Sequence, residues 1–221
     1  MKIFLDTSDV TAIRAWAQTG LIDGITTNPT NLSAAGENPV AVIQEICSIM
    51  GNNPVSVEVT ETEASAVYEQ AKKIAQLAPN VVVKIPCHIR YLAVIKKLVQ
   101  ENIPLNITLV FSMTQALAMC KLGVQYISPF VGRWDDIGVD GTQIVQDIRG
   151  MIDTYGYETQ LLAASLRNIQ HIHDALVIGA DVITVPPTLL ELALKNPLTD
   201  QGIARFDADW KKLGIKQFPQ L

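Results

Sequence analysis

Short apolar runs alternate with amphipathic segments along most of the chain. Residues 55–59 show the strand pattern most clearly, because three valines alternate with Ser56 and Glu58. We predict strands over residues 3–6, 24–27, 55–59, 81–85, 105–109, 126–129, 160–164 and 182–185. We predict helices over residues 10–18, 40–50, 64–77, 91–100, 113–121, 144–155, 169–178 and 188–195.

Strict alternation of strands and helices favours parallel strands joined by right-handed crossovers. Eight such units in about 195 residues match a small (β/α)8 TIM barrel of the α/β class. We therefore predict a catalytic barrel domain over residues 1–200, with an open doubly wound sheet as the alternative. Neither a GxGxxG nor a GxxxxGK[ST] loop is present, which disfavours a nucleotide site.

Residues 201–221 follow the eighth unit, and we predict that they form an additional C-terminal helix. Ile203, Phe206, Trp210 and Leu213 make an apolar stripe at helical spacing. Such a stripe requires an apolar contact, either on the flank of the barrel or on a neighbouring subunit. We favour the neighbouring subunit, and hence a homo-oligomer.

Composition narrows the function classes without choosing one. The 221 residues are 48% hydrophobic and carry a net charge of -5, which makes nucleic acid an unexpected partner. No apolar run approaches the ~18 residues of a membrane span, and the N-terminal run Ile3-Phe4-Leu5 reaches the charge of Asp6 too early for a signal peptide. Three widely spaced cysteines indicate reduced thiols and a cytoplasmic location. His171 and His173 are two residues apart, so we expect no metal site.

Lys84 interrupts an otherwise apolar strand, between three valines and the pair Ile85-Pro86. Lysine is almost never fully buried without a partner. Burial disfavours the charged ammonium, and the neutral amine is the nucleophile of Schiff-base chemistry. Taken alone, the position is more typical of a lysine at a strand end whose ammonium reaches the solvent.

The alternation of side chains places several polar residues on the inner face of the barrel. Glu58 shares a face with Ser56, and Asn106 shares one with Thr108, while the opposite faces of both strands are apolar. The same reasoning places Lys84 with Val82 and Asp6 with Phe4. Because inward polar groups are costly, so many of them together indicate a functional site.

Active sites of such barrels form at the carboxyl ends of the strands. The polar residues expected there are Asp6, Thr26, Thr27, Asn28, Glu58, Lys84, Asn106, Thr108, Ser128, Arg133, Ser165, Arg167 and Thr184. A lysine, a buried carboxylate and hydroxyl or amide groups suit cleavage of a carbon–carbon bond in a ketose through an imine. Two arginines and two serines after the sixth and seventh strands suit a phosphate.

Individual residues among these also have structural explanations. Asp6 is equally typical of a cap or turn, and Asn28 of a turn before proline. Glu58 and Lys84 could form a buried ion pair without chemistry. Arg133 and Arg167 could be solvated loop residues.

Seven ordered motifs resemble the small single-domain transaldolases, a family that includes the fructose-6-phosphate aldolases. The motifs are Leu5-Asp6-Thr7, Thr26-Thr27-Asn28-Pro29, Val57-Glu58-Val59, Val83-Lys84-Ile85-Pro86, Asn106-Ile107-Thr108-Leu109, Ser128-Pro129-Phe130-Val131-Gly132-Arg133 and Ala164-Ser165-Leu166-Arg167. The resemblance implies a class I aldolase-like barrel, with Lys84 as the Schiff-base nucleophile. It implies that Glu58 and Thr108 hold a proton-shuttling water and that Asp6 accepts the proton of the cleaved hydroxyl.

The same resemblance implies the substrate contacts and the reaction. The implied substrate-binding residues are Thr26, Asn28, Asn106 and Phe130, together with the phosphate-binding Ser128, Arg133, Ser165 and Arg167. The implied reaction transfers a dihydroxyacetone unit from sedoheptulose 7-phosphate to glyceraldehyde 3-phosphate in the pentose phosphate pathway, giving erythrose 4-phosphate and fructose 6-phosphate. It implies no cofactor or metal, sugar phosphates as partners, and rings of five subunits that stack into ten.

Two positions distinguish the branches of this family. Glu58 and Phe130 are similar to the transferases, because the aldolases tend to carry glutamine and tyrosine there. A fructose-6-phosphate aldolase and a non-catalytic sugar-phosphate-binding barrel are the alternatives. The segment 87–90, Cys-His-Ile-Arg, departs from the family pattern, and we expect it to alter the rim of the site.

Overall fold

Within residues 1–34 and 38–215, which the computed structural model describes, eight parallel strands close into one barrel. Each strand pairs with the next, and the last pairs with the first. The strands are β1 (Lys2–Asp6), β2 (Gly24–Thr26), β3 (Val55–Glu58), β4 (Val81–Pro86), β5 (Leu105–Val110), β6 (Tyr126–Pro129), β7 (Gln160–Ala163) and β8 (Val182–Val185). This order confirms the predicted TIM barrel over the open sheet.

Helices surround the barrel and connect its strands. They are α1 (Val10–Gln18), α2 (Pro29–Ala34), α3 (Pro39–Met50), α4 (Ala64–Ala75), α5 (Leu92–Gln100), α6 (Met113–Leu122), α7 (Val131–Asp135), α8 (Gly141–Tyr155), α9 (Ile169–Ile178), α10 (Pro187–Leu194) and α11 (Pro197–Lys212). Asp9 caps α1 by accepting from Thr11 N, and Gly123 ends α6 in the left-handed conformation. None of these helices is long and apolar enough to cross a membrane.

The barrel has separate apolar layers outside and inside its wall. The outer layer packs strands against helices, and the inner one consists of Phe4, Val82, Tyr126, Leu162, Ala164 and Val182. The rings of Phe4 and Tyr126 meet edge to face, with centroids 5.9 Å apart. Phe4 packs so closely on Gly24 that a Cβ there would lie 2.6 Å from its ring. The inward direction predicted for Phe4 and Val82 is confirmed, and with it the face assigned to Asp6 and Lys84.

Two short helices occupy segments that the sequence pattern predicts as connections. α2 begins at Pro29, after Asn28, whose Oδ1 accepts from Asn31 N at 2.9 Å. α7 lies at the start of the segment 132–141, which we predict as a polar loop. Its first residue, Val131, is buried, and its backbone N–H donates to Ala164 O at 3.0 Å. The polar composition of the segment does not reveal this buried anchor.

The predicted alternation of β5 is wrong at Leu109. This residue has a φ of 56°, and the pairing of β5 with β6 shifts register between Ile107 and Val110. Val110 therefore takes the buried outer position, and Leu109 lines the cavity described below. Such bulges are frequent beside active sites.

The additional C-terminal helix is present as α11 and begins at Pro197, with Asn196 as its cap. Ile203, Phe206 and Leu213 of its apolar stripe are 62%, 73% and 63% exposed. The stripe is therefore not covered by the described part of its own barrel. Residues 216–221 of the predicted tail lie outside the described residues.

Candidate active site

A cavity of about 440 Å³ opens at the carboxyl ends of the strands. Of the twelve residues predicted for the site, eleven line it. They are Asp6, Thr26, Asn28, Glu58, Lys84, Thr108, Ser128, Phe130, Arg133, Ser165 and Arg167. The structure thus brings together residues from strand ends that are far apart in the chain, although their individual roles remain predictions.

Lys84 is buried at the floor of the cavity, with 6% of its surface exposed. The interpretation of a lysine that reaches the solvent is therefore wrong. Its Nζ lies 3.0 Å from Glu58 Oε2 and donates to the carbonyl oxygen of Thr27 at 3.2 Å. Glu58 and Lys84 are direct partners in the register of β3 and β4, which fixes their proximity. An amine held in this way can attack a carbonyl carbon once it has lost a proton.

Asp6 is the second carboxyl group of the cavity. Its Oδ1 accepts from Asn31 Nδ2 at 3.2 Å, and Asn28 Nδ2 lies 3.5 Å from the same atom. Asp9, not Asp6, caps α1, so the explanation of Asp6 as a cap is wrong. Burial raises the pKa of Asp6 above its ordinary value, although the charge of Lys84 opposes the shift. A raised pKa makes this carboxylate a better proton acceptor near neutral pH.

A hydrogen-bonded network lies inside the barrel beside the lysine. Asn106 Nδ2 donates to Ser56 Oγ at 3.2 Å, and Ser128 Oγ donates to Asn106 Oδ1 at 2.6 Å. Asn106 is fully buried and does not line the cavity, in contrast to the other predicted site residues. Because both of its polar atoms are engaged, its amide orientation is fixed before any substrate binds.

Thr108 carries a buried hydroxyl that lines the cavity. This hydroxyl has no hydrogen-bond partner among residues 1–34 and 38–215. A buried polar atom without a partner costs about 1–3 kcal/mol. The hydroxyl is therefore suited to bind a polar atom of a ligand or a water molecule.

The far wall of the cavity is built from α7 and the segment after β7. Gly132 N donates to the carbonyl oxygen of Ser165 at 3.0 Å, and a Cβ on Gly132 would collide with Arg167. Ser165 has a φ of 58°, which is unfavourable for a residue other than glycine. Gly132, which precedes Arg133, thus contacts Ser165 and Arg167, and all three of these neighbours line the cavity.

Arg167 has an anionic partner on the protein itself. Both carboxylate oxygens of Asp136 accept from its guanidinium, and the Nη2–Oδ2 distance is 2.9 Å. Hydrogen bonds from Arg167 hold the pKa of Asp136 below its ordinary value. The sequence analysis does not predict this pair, because Asp136 belongs to a segment read as a solvated loop.

Some residues of the cavity have no role among the twelve residues predicted for the site, although Thr184 is one of the polar residues expected at the strand ends. Asn31 escapes prediction because its position depends on the unpredicted helix α2, whereas Leu109 depends on the bulge in β5. Thr184 lies at a predicted strand end, and its hydroxyl is 2.6 Å from that of Thr26. The inward face of β8, which also carries Val182, is the sequence signal that identifies it.

The prediction that segment 87–90 alters the rim of the site is not supported by its position. None of these four residues lines the cavity. His88 Nδ1 instead accepts from Arg90 N at 3.2 Å and caps a short 3-10 helix, Ile89–Tyr91. His88 is thus a capping residue of this short helix.

A TIM barrel whose carboxyl-terminal mouth holds a buried lysine beside one carboxylate, with a second carboxyl group lining the same cavity, has the architecture of enzymes that form Schiff bases with carbonyl substrates. Residues 3–217 match the family described as Transaldolase/Fructose-6-phosphate aldolase, and the chain belongs to this family.

Curated relatives from distant organisms are similar over almost their whole length. A protein of Caulobacter vibrioides is 49% identical over 214 residues, which cover 97% of this chain and 98% of the relative. A protein of Rhizobium meliloti is 47% identical over 216 residues, covering 98% and 99%. A protein of Thermoplasma volcanium is 50% identical over 216 residues, covering 96% of both chains. All three bear the name "Probable transaldolase". The family resemblance read from the motifs is thus confirmed.

Proposed function

We propose that this protein is a transaldolase of the pentose phosphate pathway. It transfers a dihydroxyacetone unit from sedoheptulose 7-phosphate to glyceraldehyde 3-phosphate, giving erythrose 4-phosphate and fructose 6-phosphate. The observation that carries the proposal is the burial of Lys84, 3.0 Å from Glu58, in a cavity that Asp6 also lines. Membership of the family and the names of the relatives support it.

The chemistry begins at Lys84. Its neutral amine adds to the ketone carbon of the donor, and loss of water from the adduct gives a protonated imine. Glu58 supplies and removes protons in these steps, through a water held by the hydroxyl of Thr108. The partnerless hydroxyl of Thr108 supports its assignment to this water.

Asp6 then acts in the carbon–carbon cleavage. It accepts the proton of the hydroxyl on the distal carbon of the breaking bond, so that this carbon becomes the carbonyl of the leaving aldehyde and the bond electrons flow into the imine. The three-carbon enamine remains on Lys84 and attacks the carbonyl carbon of the acceptor aldehyde. Hydrolysis of the new imine releases the product, and Asn28 and Asn106 orient the hydroxyls and the imine during these steps.

The phosphate of each sugar binds to Arg133 and Arg167, with Ser165 as a hydroxyl donor. Ser128 is the second proposed donor, and its hydroxyl has to leave Asn106 Oδ1, to which it donates at 2.6 Å, in order to reach the phosphate. Charged donors on one wall of the cavity fit a phosphate at one end of a sugar whose carbonyl lies at Lys84. Thr26 and Phe130 complete the wall, and Phe130 packs edge to face on Phe111 with centroids 6.0 Å apart.

Covalent trapping tests the Schiff base. The protein is incubated with fructose 6-phosphate, reduced with borohydride, and digested for mass spectrometry. We expect a dihydroxyacetone-derived or hexose-derived adduct on Lys84 and none in Lys84→Met, with Lys97→Met as the control for a lysine on an outer helix. Absence of an adduct on Lys84 would leave the ion pair with Glu58 as a structural element of a non-catalytic sugar-phosphate-binding barrel.

A second comparison separates the transferase from a fructose-6-phosphate aldolase. Glu58 favours the transferase, because a carboxylate exchanges protons more effectively than an amide. Turnover of fructose 6-phosphate is measured with and without erythrose 4-phosphate. A transferase requires the acceptor, whereas equal release of free dihydroxyacetone without it would identify the aldolase.

We also propose that the protein is a homo-oligomer, a pentamer or decamer, in the cytoplasm. The exposed stripe on α11 supports an intersubunit contact, and three free cysteines support a reducing compartment. Light scattering should give the mass of a pentamer or decamer for the wild type and a smaller mass for Phe206→Asp. A monomeric wild type would refute the assembly.

A further inference from the structure

Asp136 forms an ion pair with the guanidinium of Arg167, which is proposed to bind the phosphate of the substrate. The side chains of Arg167 and Asp136 are 44% and 49% exposed, and their contact is bidentate. A carboxylate bound in this way accepts from the same pair of guanidinium N–H groups that would donate to a phosphate. A phosphorylated substrate therefore has to compete with a carboxylate of the protein for Arg167.

The backbone around Arg167 is held by other contacts. Arg167 N donates to His171 Nδ1 at 3.3 Å, and His171 Nε2 lies 2.8 Å from Asp135 Oδ2. Asp135 Oδ1 also accepts from Gly141 N at 3.0 Å, which joins α7 to α8. The neighbouring aspartate thus carries the structural connections, and the contact of Asp136 is with the functional guanidinium.

The charges around Arg167 determine the attraction for a phosphate. Asp136 has a lowered pKa, owing chiefly to hydrogen bonds from Arg167 and further to the charge of Arg133. The charge of Asp135 also acts on Arg167. Two arginines and two aspartates leave no net charge here, whereas a phosphate monoester carries about 1.5 to 2 negative charges at pH 7. Neutralising Asp136 would leave one net positive charge beside the phosphate.

We propose that Asp136 is a specificity-determining residue that weakens the binding of phosphorylated substrates by competing with their phosphate for Arg167. The inference rests on the proposed function, because it takes Arg133 and Arg167 as the phosphate site. Asp136 also restrains Arg167, and loss of this restraint would oppose the gain in attraction. Half-exposed ion pairs restrain their side chains only weakly. A phosphate bound to Arg167 would lie within about 8 Å of Asp136, where screening is incomplete, so the competition dominates.

The effect should be confined to binding. The phosphate is remote from the bond that reacts, so a change in its affinity acts on ground state and transition state alike. Such a change alters KM and leaves kcat nearly unchanged. Asp136 would thereby limit how tightly sugar-phosphate products are held.

The test compares phosphorylated and unphosphorylated acceptors. In Asp136→Asn, KM for glyceraldehyde 3-phosphate and the inhibition constant of inorganic phosphate should fall about three- to tenfold. KM for glyceraldehyde should stay constant. Asp147→Asn, which removes the same charge from a half-buried position on α8, is the control and should leave all three constants unchanged. Asp136→Ala, checked by thermal unfolding, should change the constants in the same direction.

A double variant tests whether Asp136 acts on phosphate binding through Arg167. In an Arg167→Met background, Asp136→Asn should lose most of its influence, because the competition requires Arg167. A constant or raised KM for glyceraldehyde 3-phosphate in Asp136→Asn would overturn this inference alone. A wild-type protein without transfer activity and without inhibition by phosphate would overturn both the inference and the proposed function.

Discussion

Glu58→Gln separates proton transfer from the structural role of the buried ion pair. Glu58 Oε2 lies 3.0 Å from Lys84 Nζ, and the two side chains are 13% and 8% exposed. Glutamine has nearly the same shape and keeps an oxygen that can accept from the lysine. It has no charge, however, and it cannot exchange a proton with the reacting groups. The variant therefore removes the charge and the proton exchange of Glu58 while it keeps the shape of the side chain and one hydrogen-bond acceptor.

The contacts of Lys84 determine how much stability Glu58→Gln should lose, and the role of Glu58 in proton transfer determines the expected loss of kcat. Removing one partner of a buried ion pair costs about 3–5 kcal/mol when the other charge is left alone. Lys84 retains the Thr27 carbonyl at 3.2 Å, and the amide oxygen at position 58 replaces one acceptor. We therefore expect a loss of about 1–2 kcal/mol, or about 2–8 °C in Tm for a chain of this size. Loss of a general acid–base lowers kcat about 10²- to 10⁴-fold.

The assay couples formation of erythrose 4-phosphate to a spectroscopic readout and is paired with thermal unfolding. Glu61→Gln is the control, because Glu61 is exposed three residues further along the chain and loses the same charge. We expect that control to retain wild-type kcat and Tm. Full transfer activity in folded Glu58→Gln would refute the role of Glu58 in proton transfer. An unfolded variant would instead show that the ion pair is chiefly structural.

Three further predictions test other parts of the structure. Burial raises the pKa of Asp6, so kcat should fall on acidification through a limb above the ordinary value of 3.8. A pH profile with its limb at or below that value would contradict this. Between the ordinary and the raised pKa the folded protein binds more protons than the unfolded chain, so the stability contribution of Asp6 falls as pH rises through this window. Asp6→Asn should therefore lose at least about 10²-fold in kcat without a loss of Tm at pH 7. Gly24→Ala should lower the free energy of unfolding by about 1–3 kcal/mol, because its Cβ would collide with Phe4. Gly150→Ala is its control, since that position has open space in a helix, and it should gain about 0.5–1 kcal/mol in a denaturant titration. Burial raises the pKa of Cys87 to about 11, so iodoacetamide should label this thiol slowly at pH 7 in the folded protein and rapidly after denaturation.

The inner face of the barrel could be read from the sequence because strands impose a strict period of two. Ser56 and Glu58 on β3, with valines on the opposite face, were sufficient to orient that strand. The same alternation of side chains along β4 predicts that Lys84 faces the inside of the barrel. Because the eight strand–helix units predict parallel strands, the carboxyl ends of all eight strands are expected at the same mouth of the barrel.

Other features depend on interactions that no local pattern contains. Leu109 lines the cavity because a bulge interrupts the period of β5, and a bulge has no signature in the apolar pattern. The contact between Asp136 and Arg167 joins segments 31 residues apart, both of which are polar. Val131 anchors α7 through one buried side chain and one backbone hydrogen bond.

The direct pairing of Glu58 with Lys84 in neighbouring strands links the chemistry to the assembly of the sheet. A slip of one residue between β3 and β4 would turn one of these side chains toward the outer helices and separate the pair. Only chains that have aligned these two strands correctly can therefore present an active lysine. The fraction of molecules labelled by borohydride trapping should then count the correctly aligned barrels in a refolded sample, a quantity that helical content measured by circular dichroism does not report.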